Sequence, residues 1–324
     1  MLVQNREQFD SVLDMLMVAK RVACDTETNG LHVYKGHRLC GVAFYLELKA
    51  PYVLGVYFPF RHALGENLFN VSENLPIEWL QELGKVLARP DLTTVWHGFV
   101  FDAKMLRAEG VEICGIIKDT LAMSVLTDEN DKHSLGAVEQ KYLGTTTKKD
   151  TSEKHLKPYL KGKKDYSKVP SADMEYYAVN DVRLTLQVHD ALVEDMKVQE
   201  LTHLWMDHAD FLRQLFEMEW VGIPVDQDLA AQLSDTAAAR MRELEDAMGF
   251  DPQKLAVLAD NLFAPLPDGA GLPIPRRVTK HTSPRFPQGL PGMDNEELLA
   301  LIDPDPTCDA ESDLANALVS NVLE

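Results

Sequence analysis

Apolar and polar residues change their spacing along this chain, and each change marks an element. From Gln8 to Ala19 apolar residues recur every three or four positions, as Phe9, Val12, Leu13 and Leu16 do, which is the period of an amphipathic helix. Three strand-like stretches follow, Arg21 to Asp25, Leu39 to Leu46 and Tyr52 to Phe58, separated by Gly and polar residues and expected to pair as consecutive antiparallel strands. A helical pattern from Pro76 to Ala88 has its proline at the first turn, where no backbone N–H is needed. Leu92 to Trp96 then reads as a strand and Asp102 to Glu109 as a helix stopped by Gly110, giving the order βββαβα. Helices dominate afterwards: Thr120 to Leu126, Ser134 to Tyr142, and a long one beginning near Ser171, with Ser171 and Asp173 as N-terminal capping residues.

From about Leu201 the pattern is almost wholly helical. Phe211 to Trp220 ends at Gly222-Ile223-Pro224, and a second helix runs from Asp226 towards Met248. A chain of 324 residues exceeds one ordinary compact core, so two domains are expected, 1–200 and 201–324. Residues 264–292 are rich in Pro and Gly, hold several basic side chains and lack a period, and are expected to be extended and mobile. Short helices are expected near Asn295 to Ile302 and Glu311 to Leu323.

Composition narrows the partners. A net charge of −19 argues against a broad basic surface for nucleic acid, because long-range steering would repel phosphates. Any such contact has to be local, supplied by the lysine-dense tract from Lys148 to Lys168 or by Arg276, Arg277 and Arg285; the plainer reading of either is a solvated loop. Cys24, Cys40, Cys114 and Cys308 form no C-x-x-C pair and no zinc-finger spacing with histidine. No run reaches the roughly 18 apolar residues of a membrane span, and no signal core opens the chain, so a soluble protein of the cytoplasm is expected.

The chemistry starts at Asp25-Thr26-Glu27. A strand alternates its side chains, so Asp25 and Glu27 point to one side of it. Asp102 follows the strand-like Thr93 to Trp96, and Asp181 lies in the helical stretch after Asp173. Each acid alone has a structural explanation, Asp102 as a helix cap and Asp181 as a surface carboxylate; jointly they describe a four-carboxylate site for divalent cations, since hard ions take oxygen ligands. Tyr177 lies four residues before Asp181, on the same helical face, where its hydroxyl is placed to hold an attacking water. His97, His133, His189, His203 and His208 show no zinc-ligand grouping.

Asp25-Thr26-Glu27-Thr28-Asn29-Gly30-Leu31, His97-Gly98-Phe99-Val100-Phe101-Asp102 and Tyr177-Ala178-Val179-Asn180-Asp181 together resemble the three motifs of the DEDD exonuclease superfamily, tyrosine subclass. Asp119-Thr120-Leu121-Ala122, His133-Ser134-Leu135-Gly136 and Lys141-Tyr142-Leu143-Gly144 are further similar to the proofreading domain of family A DNA polymerases, many of them from phages. The resemblance covers roughly the first 200 residues. It continues in Phe216 to Asp226, which is similar to the entry into the polymerase module at the thumb base, while nothing after Asp226 resembles palm or fingers.

The resemblance implies a ribonuclease H-like α/β fold with a mixed sheet, three antiparallel strands then parallel ones, and a mostly helical C-terminal extension. It implies a metal-dependent 3′-5′ exonuclease acting on single-stranded or frayed DNA 3′ ends in replication proofreading, without polymerase activity on this chain. Two divalent ions, Mg²⁺ or Mn²⁺, are implied, one held by Asp25, Glu27 and Asp181, the other by Asp25 and by Asp102 partly through water, with Tyr177 orienting the nucleophile. Thr26, Leu31, His97 and Gly98 would meet the substrate, Leu31 either packing on the terminal base or filling the core. In the family's second motif the position four before the aspartate is commonly Asn; here it is Gly98, so a backbone group or His97 would take that part. The rivals are an RNA-trimming exonuclease of the same superfamily and a non-catalytic module docking a replication partner, such as a separate polymerase chain. For a phage protein the compartment would be the host cytoplasm.

Overall fold

The computed structural model describes residues 1–47, 53–62, 74–148, 153–160, 165–264, 268–270, 272, 279–293, 298, 319 and 322. The chain divides into two compact units, 1–222 and 223–324.

In the first unit the elements run α1 (Arg6–Val18), β1 (Arg21–Thr28), β2 (Leu39–Glu47), β3 (Val53–Pro59), α2 (Leu80–Leu87), β4 (Thr93–Trp96), α3 (Phe99–Arg107), β5 (Ile116–Asp119), α4 (Thr120–Thr127), α5 (Leu135–Leu143), α6 (Glu153–Leu160), α7 (Ser171–Val198) and α8 (Thr202–Val221). The sheet order is β3-β2-β1-β4-β5. β1 pairs antiparallel with β2, as β2 does with β3, and β1 to β4 and β4 to β5 are parallel. The expected mixed sheet is therefore present, in the ribonuclease H-like arrangement, with one strand more than the hydrophobic pattern indicated. β5 is four residues, Ile-Ile-Lys-Asp, too short to display an alternation.

Alternation along the strands sorts the core onto two faces. Val22 and Cys24 of β1, Val42, Phe44 and Leu46 of β2, Val56 and Phe58 of β3, and Trp96 of β4 join one apolar cluster with α1, α2, α3 and α8. Ala23, Ala43, Tyr57 and Val95 join a second with Met174, Tyr177, Ala178, Val182 and Leu186 of α7. Small residues at 23 and 43 leave room for that helix to cross close over the sheet. Asp25 and Glu27 share the parity of Ala23, so they face α7.

β1 continues three residues past its expected end, so Asp25 and Glu27 lie within the strand, and a register shift falls between Glu27 and Thr28. The irregularity falls just after the last carboxylate, which keeps its partner Gly41. Gly41, opposite Glu27, is needed because a Cβ there would sit 1.9 Å from the Tyr57 hydroxyl. That hydroxyl pairs with His62 Nε2 at 2.7 Å, and His62 Nδ1 lies 2.8 Å from the Val169 carbonyl. A carbonyl can only accept, so Nδ1 carries the hydrogen, Nε2 accepts from Tyr57, and the chain of bonds pins the entry to α7 to the sheet.

α8 belongs with the first unit, which corrects the boundary expected near residue 200. Arg107 of α3 grips it through Glu217, at 2.7 and 2.8 Å, and lies 4.3 Å from the Phe216 ring centroid. Lys104 bonds Glu219 at 2.6 Å, and the Tyr34 hydroxyl donates to the Glu219 carbonyl at 2.7 Å. These contacts are long-range in sequence, so no local pattern announced them.

The second unit has α9 (Gln227–Met248), capped by the Asp226 side chain on Leu229 N–H, and α10 (Leu255–Phe263). Leu258, Ala259, Leu262 and Phe263 of α10 pack with Leu290, Leu298 and Val319. Within 264–292 the stretch from Thr279 closes on itself, Thr279 N–H to Leu290 carbonyl and Leu290 N–H to His281 carbonyl. Arg276, Arg277 and most of the two expected C-terminal helices lie outside the described residues. No helix among the described residues is long and apolar enough to cross a membrane.

Candidate active site

β1 supplies Asp25 and Glu27, α3 supplies Asp102, and α7 supplies Tyr177 and Asp181. All are buried except Asp25, which is half-buried. Asp102 lies inside α3, whose first residue is Phe99, so it does not cap the helix as an isolated Asp there would suggest. It is held from β1 instead: its Oδ1 accepts the Thr26 N–H at 2.9 Å and the Thr26 hydroxyl at 2.6 Å. Thr26 is thus turned to the Asp102 carboxylate.

Burial raises the carboxyls of Asp25 and Glu27, and charge adds to it. Asp25 is pushed well above its usual range by burial and then by Asp102, Glu27 and Asp181. Glu27 is raised to about 8 by burial and the Asp181 charge, with Lys148 opposing. Asp102 rises to about 7 through burial, against the two Thr26 hydrogen bonds. Carboxylates whose ionisation is disfavoured by neighbouring acids gain from a nearby positive charge.

That charge is presently an ammonium. Lys148, just past α5, bonds the Asp181 carboxylate and donates to the Tyr177 hydroxyl at 2.9 Å. Burial works against its charge, but Asp181, Asp25 and Glu27 together hold its pKa above the ordinary lysine value. The first residue of the lysine-dense tract is therefore a buried partner of the acids, where a solvated loop was the plainer expectation; 149–152 and 161–164 of that tract lie outside the described residues. Tyr177 accepts from Lys148 and is hydrogen-bonded to the Tyr166 side chain, and burial with the nearby acids keeps the phenol protonated.

The donor set fits divalent cations in kind. All four acids offer only oxygen, and Glu27 Oε1 is buried with no hydrogen-bond partner. Among the described residues no three such side chains are gathered closely enough to hold an ion as they stand.

Gly98 has φ +102°, a conformation that favours glycine, with open space where a Cβ would lie. Its N–H and that of Phe99 donate to Asp119, 3.2 and 2.8 Å away. Asp119 also takes the N–H groups of Leu121 and Ala122, so one carboxylate caps both α3 and α4. His97 Nδ1 lies 2.8 Å from the Thr120 hydroxyl, which itself donates to the Trp96 carbonyl at 3.1 Å. The hydroxyl's hydrogen is thus spent, so His97 donates through Nδ1 and its buried Nε2 is left as an acceptor. Burial lowers its pKa to about 4.

Leu31 is 56% exposed, which rules out the core position. With Tyr34, Phe101, Lys104 and Met105 it lines a cavity of about 120 Å³ beside Asp102's helix.

A family model described as 3′-5′ exonuclease, the type carried by family A DNA polymerases, matches residues 1–197. The chain belongs to this exonuclease family. Among curated proteins it is similar to DNA polymerase DpoZ of Salmonella phage PMBT28, 26% identical over 242 residues, and DpoZ of Acinetobacter phage SH-Ab 15497, 24% over 305 residues. Those matches take in 71% and 88% of this chain but 36% and 44% of the relatives, so it spans less than half their length. Among solved structures, the POL domain of Pol1 from M. smegmatis, in complex with DNA primer-template and dNTP, shares the fold at a TM-score of 0.62 and 17% identity over 99% of this chain and 48% of that one. Asp119, Glu139 and Lys148 are site-supporting residues that the sequence motifs of this exonuclease did not assign. Their roles come from hydrogen bonds spanning loops, and only the family-like Asp119-Thr120 pair hinted at one.

Proposed function

We propose that this chain removes nucleoside monophosphates one at a time from single-stranded or frayed DNA 3′ ends, in proofreading, using two divalent ions, Mg²⁺ or Mn²⁺, bound by Asp25, Glu27, Asp102 and Asp181. The observation that carries this is that four acids from three separate elements lie near enough for Asp102, Glu27 and Asp181 to raise the Asp25 carboxyl, and for Asp181 and Asp102 to raise that of Glu27. Bound there, the ions would supply an activated water and relief of the charge growing on the leaving 3′ oxygen. The protein residues do the rest. Tyr177 donates its hydroxyl hydrogen towards the nucleophile and so fixes its line of approach. Thr26 holds Asp102 in register with β1. Leu31, with Phe101 and Met105 behind it, offers an apolar surface for the terminal base, so the end must arrive unpaired. Unpairing costs a few kcal/mol, least at a mismatch, and a preference for mispaired ends follows.

The test is release of mononucleotide from matched DNA and RNA oligonucleotides, each labelled at either end, with Mg²⁺ and with chelator. Stepwise loss from the DNA 3′ end that needs the metal, and disappears in Asp25→Asn, is the expected result. Preferred trimming of RNA would move the substrate to that class. No release under any condition would leave a docking module.

A further inference from the structure

We propose that Lys148 is the resident cation of the carboxylate site: it holds Asp181 and Tyr177 while no divalent ion is bound and gives up Asp181 when one enters. The inference rests on the metal-dependent reading above and adds to it how the site is kept intact when empty and what a metal must displace.

Lysine is a compact point charge on a flexible four-carbon stem with three donors and no acceptor, so it can satisfy carboxylates and then withdraw without moving its backbone. Here the ammonium bonds the Asp181 carboxylate and the Tyr177 hydroxyl and lies 4.6 Å from the Tyr177 ring centroid, with its side chain only 13% exposed. The placement is built and not incidental. Glu139 of α5, fully buried, accepts the Thr145 hydroxyl at 2.7 Å, the Thr147 N–H at 2.7 Å and the Lys148 N–H at 3.0 Å. One buried carboxylate thereby fixes the turn that delivers the lysine, leaving only the stem free.

Charge accounts for the rest. One ammonium offsets one of four acids, and Glu27 Oε1 stays without a hydrogen-bond partner. Among the described residues no three ligands are drawn together around it. A doubly charged ion attracts the acids more strongly, and two cations sharing one carboxylate repel each other, so an ion that takes Asp181 drives Nζ from Oδ2.

The experiment is Mn²⁺ binding to the full chain, followed by loss of the free-ion EPR signal at fixed pH and ionic strength, in the wild type, Lys148→Met, Lys148→Arg and Asp25→Asn. Lys148→Met should bind Mn²⁺ at least about tenfold tighter, the low end of what removing a unit charge a few Å from an ion is worth in a partly buried site. Lys148→Arg, which keeps the charge, should bind no tighter than the wild type. In chelator Lys148→Met should melt lower than the wild type and gain more on adding Mn²⁺. Equal or weaker Mn²⁺ binding by a folded Lys148→Met overturns the proposal while leaving the nuclease reading standing. Should that variant fail to fold, Lys148→Gln, which retains a donor but no charge, decides by the same criterion. Mn²⁺ binding absent from the wild type, or unaffected by Asp25→Asn, overturns both readings.

Discussion

Replacing Asp119 by Asn tests whether one side chain holds the two helices that frame the site. Asp119 Oδ1 takes the N–H groups of Leu121 at 2.9 Å, Gly98 at 3.2 Å and Ala122 at 3.3 Å, and Oδ2 takes that of Phe99 at 2.8 Å. An Asn that keeps Oδ1 in place preserves three of these and turns an NH₂ group at the Phe99 N–H; flipped, it loses the three instead. The smaller loss is a charge-assisted bond, about 1.5–3 kcal/mol, with an overlapping penalty for an unsatisfied buried donor. Removing negative charge from two helix N-termini adds about 0.3–1 kcal/mol each. Together the cost is about 2–5 kcal/mol for the first unit, which at an m-value of about 2–3 kcal/mol/M lowers a urea midpoint by about 1–2.5 M. The assay is urea unfolding in chelator at pH 8, followed by tryptophan fluorescence, since Trp96 is buried on the neighbouring strand. Burial raises the Asp119 carboxyl, against its four N–H donors, and pH 8 keeps the comparison on the ionised side. Because Asp102 follows Phe99 by one helical turn, nucleotide release should fall too. An unchanged midpoint at unchanged m refutes the double-cap reasoning.

Four further outcomes are expected. Tyr177→Phe should slow nucleotide release roughly 10- to 100-fold while Mn²⁺ affinity stays as in the wild type; lost ion binding would show that the phenol organises the acids instead. Glu27 is raised from 4.5 to about 8, so the folded state holds its proton more tightly; the stability it confers is full below about pH 4.5 and is lost as pH rises towards 8. In chelator the melting temperature should therefore fall between pH 5 and 8, and saturating Mg²⁺ should flatten that slope; the same slope with and without Mg²⁺ would argue that no ion binds Glu27. Arg107→Ala removes the Glu217 pair and the Phe216 stacking and should cost about 1–2 kcal/mol in urea unfolding; no loss would mean that the other contacts of α8 hold it without Arg107. Gly98→Ala meets no atom but must adopt φ +102°, and should cost about 1–2 kcal/mol; a neutral result would mean the loop relaxes freely.

What the sequence showed depended on the range over which each element is specified. α1, β2 and the helix that became α7 are written in local periodicity, and they form where the pattern placed them. β5 lacks the length for a period, and its place beside β4 is set by pairing of Thr93 to Trp96 with Ile116 to Asp119. The start of α3 was read three residues late because its cap comes from Asp119, twenty residues ahead of Phe99. The same reason moves the boundary from 200 to 222: α8 has an ordinary helical pattern, and its unit is set by long-range contacts with Arg107, Lys104, Tyr34 and the first apolar core.

The site divides along a similar line. Acids and phenol were legible because the chemistry demands particular groups at particular offsets: two carboxylates two apart on a strand, a tyrosine four before an aspartate on a helix. Groups that act by holding others carry no such offset. Thr26 sits between two motif acids and yet serves a third, Asp102, 76 residues away. Gly98 reads as a missing Asn, but its backbone conformation and its bond to Asp119 give it a structural reason that a motif comparison does not contain. Lys148 reads as one lysine among many in a solvated tract until Glu139 is seen to fix its turn. Its charge then explains how four repelling acids stay together in a protein of net charge −19. An acidic chain that must admit phosphates gains from keeping that repulsion local and answered. The ammonium answers it at rest, and an ion entering with twice the charge would turn the same pocket attractive to a phosphodiester, so approach of nucleic acid should depend on metal loading more than on the overall surface charge.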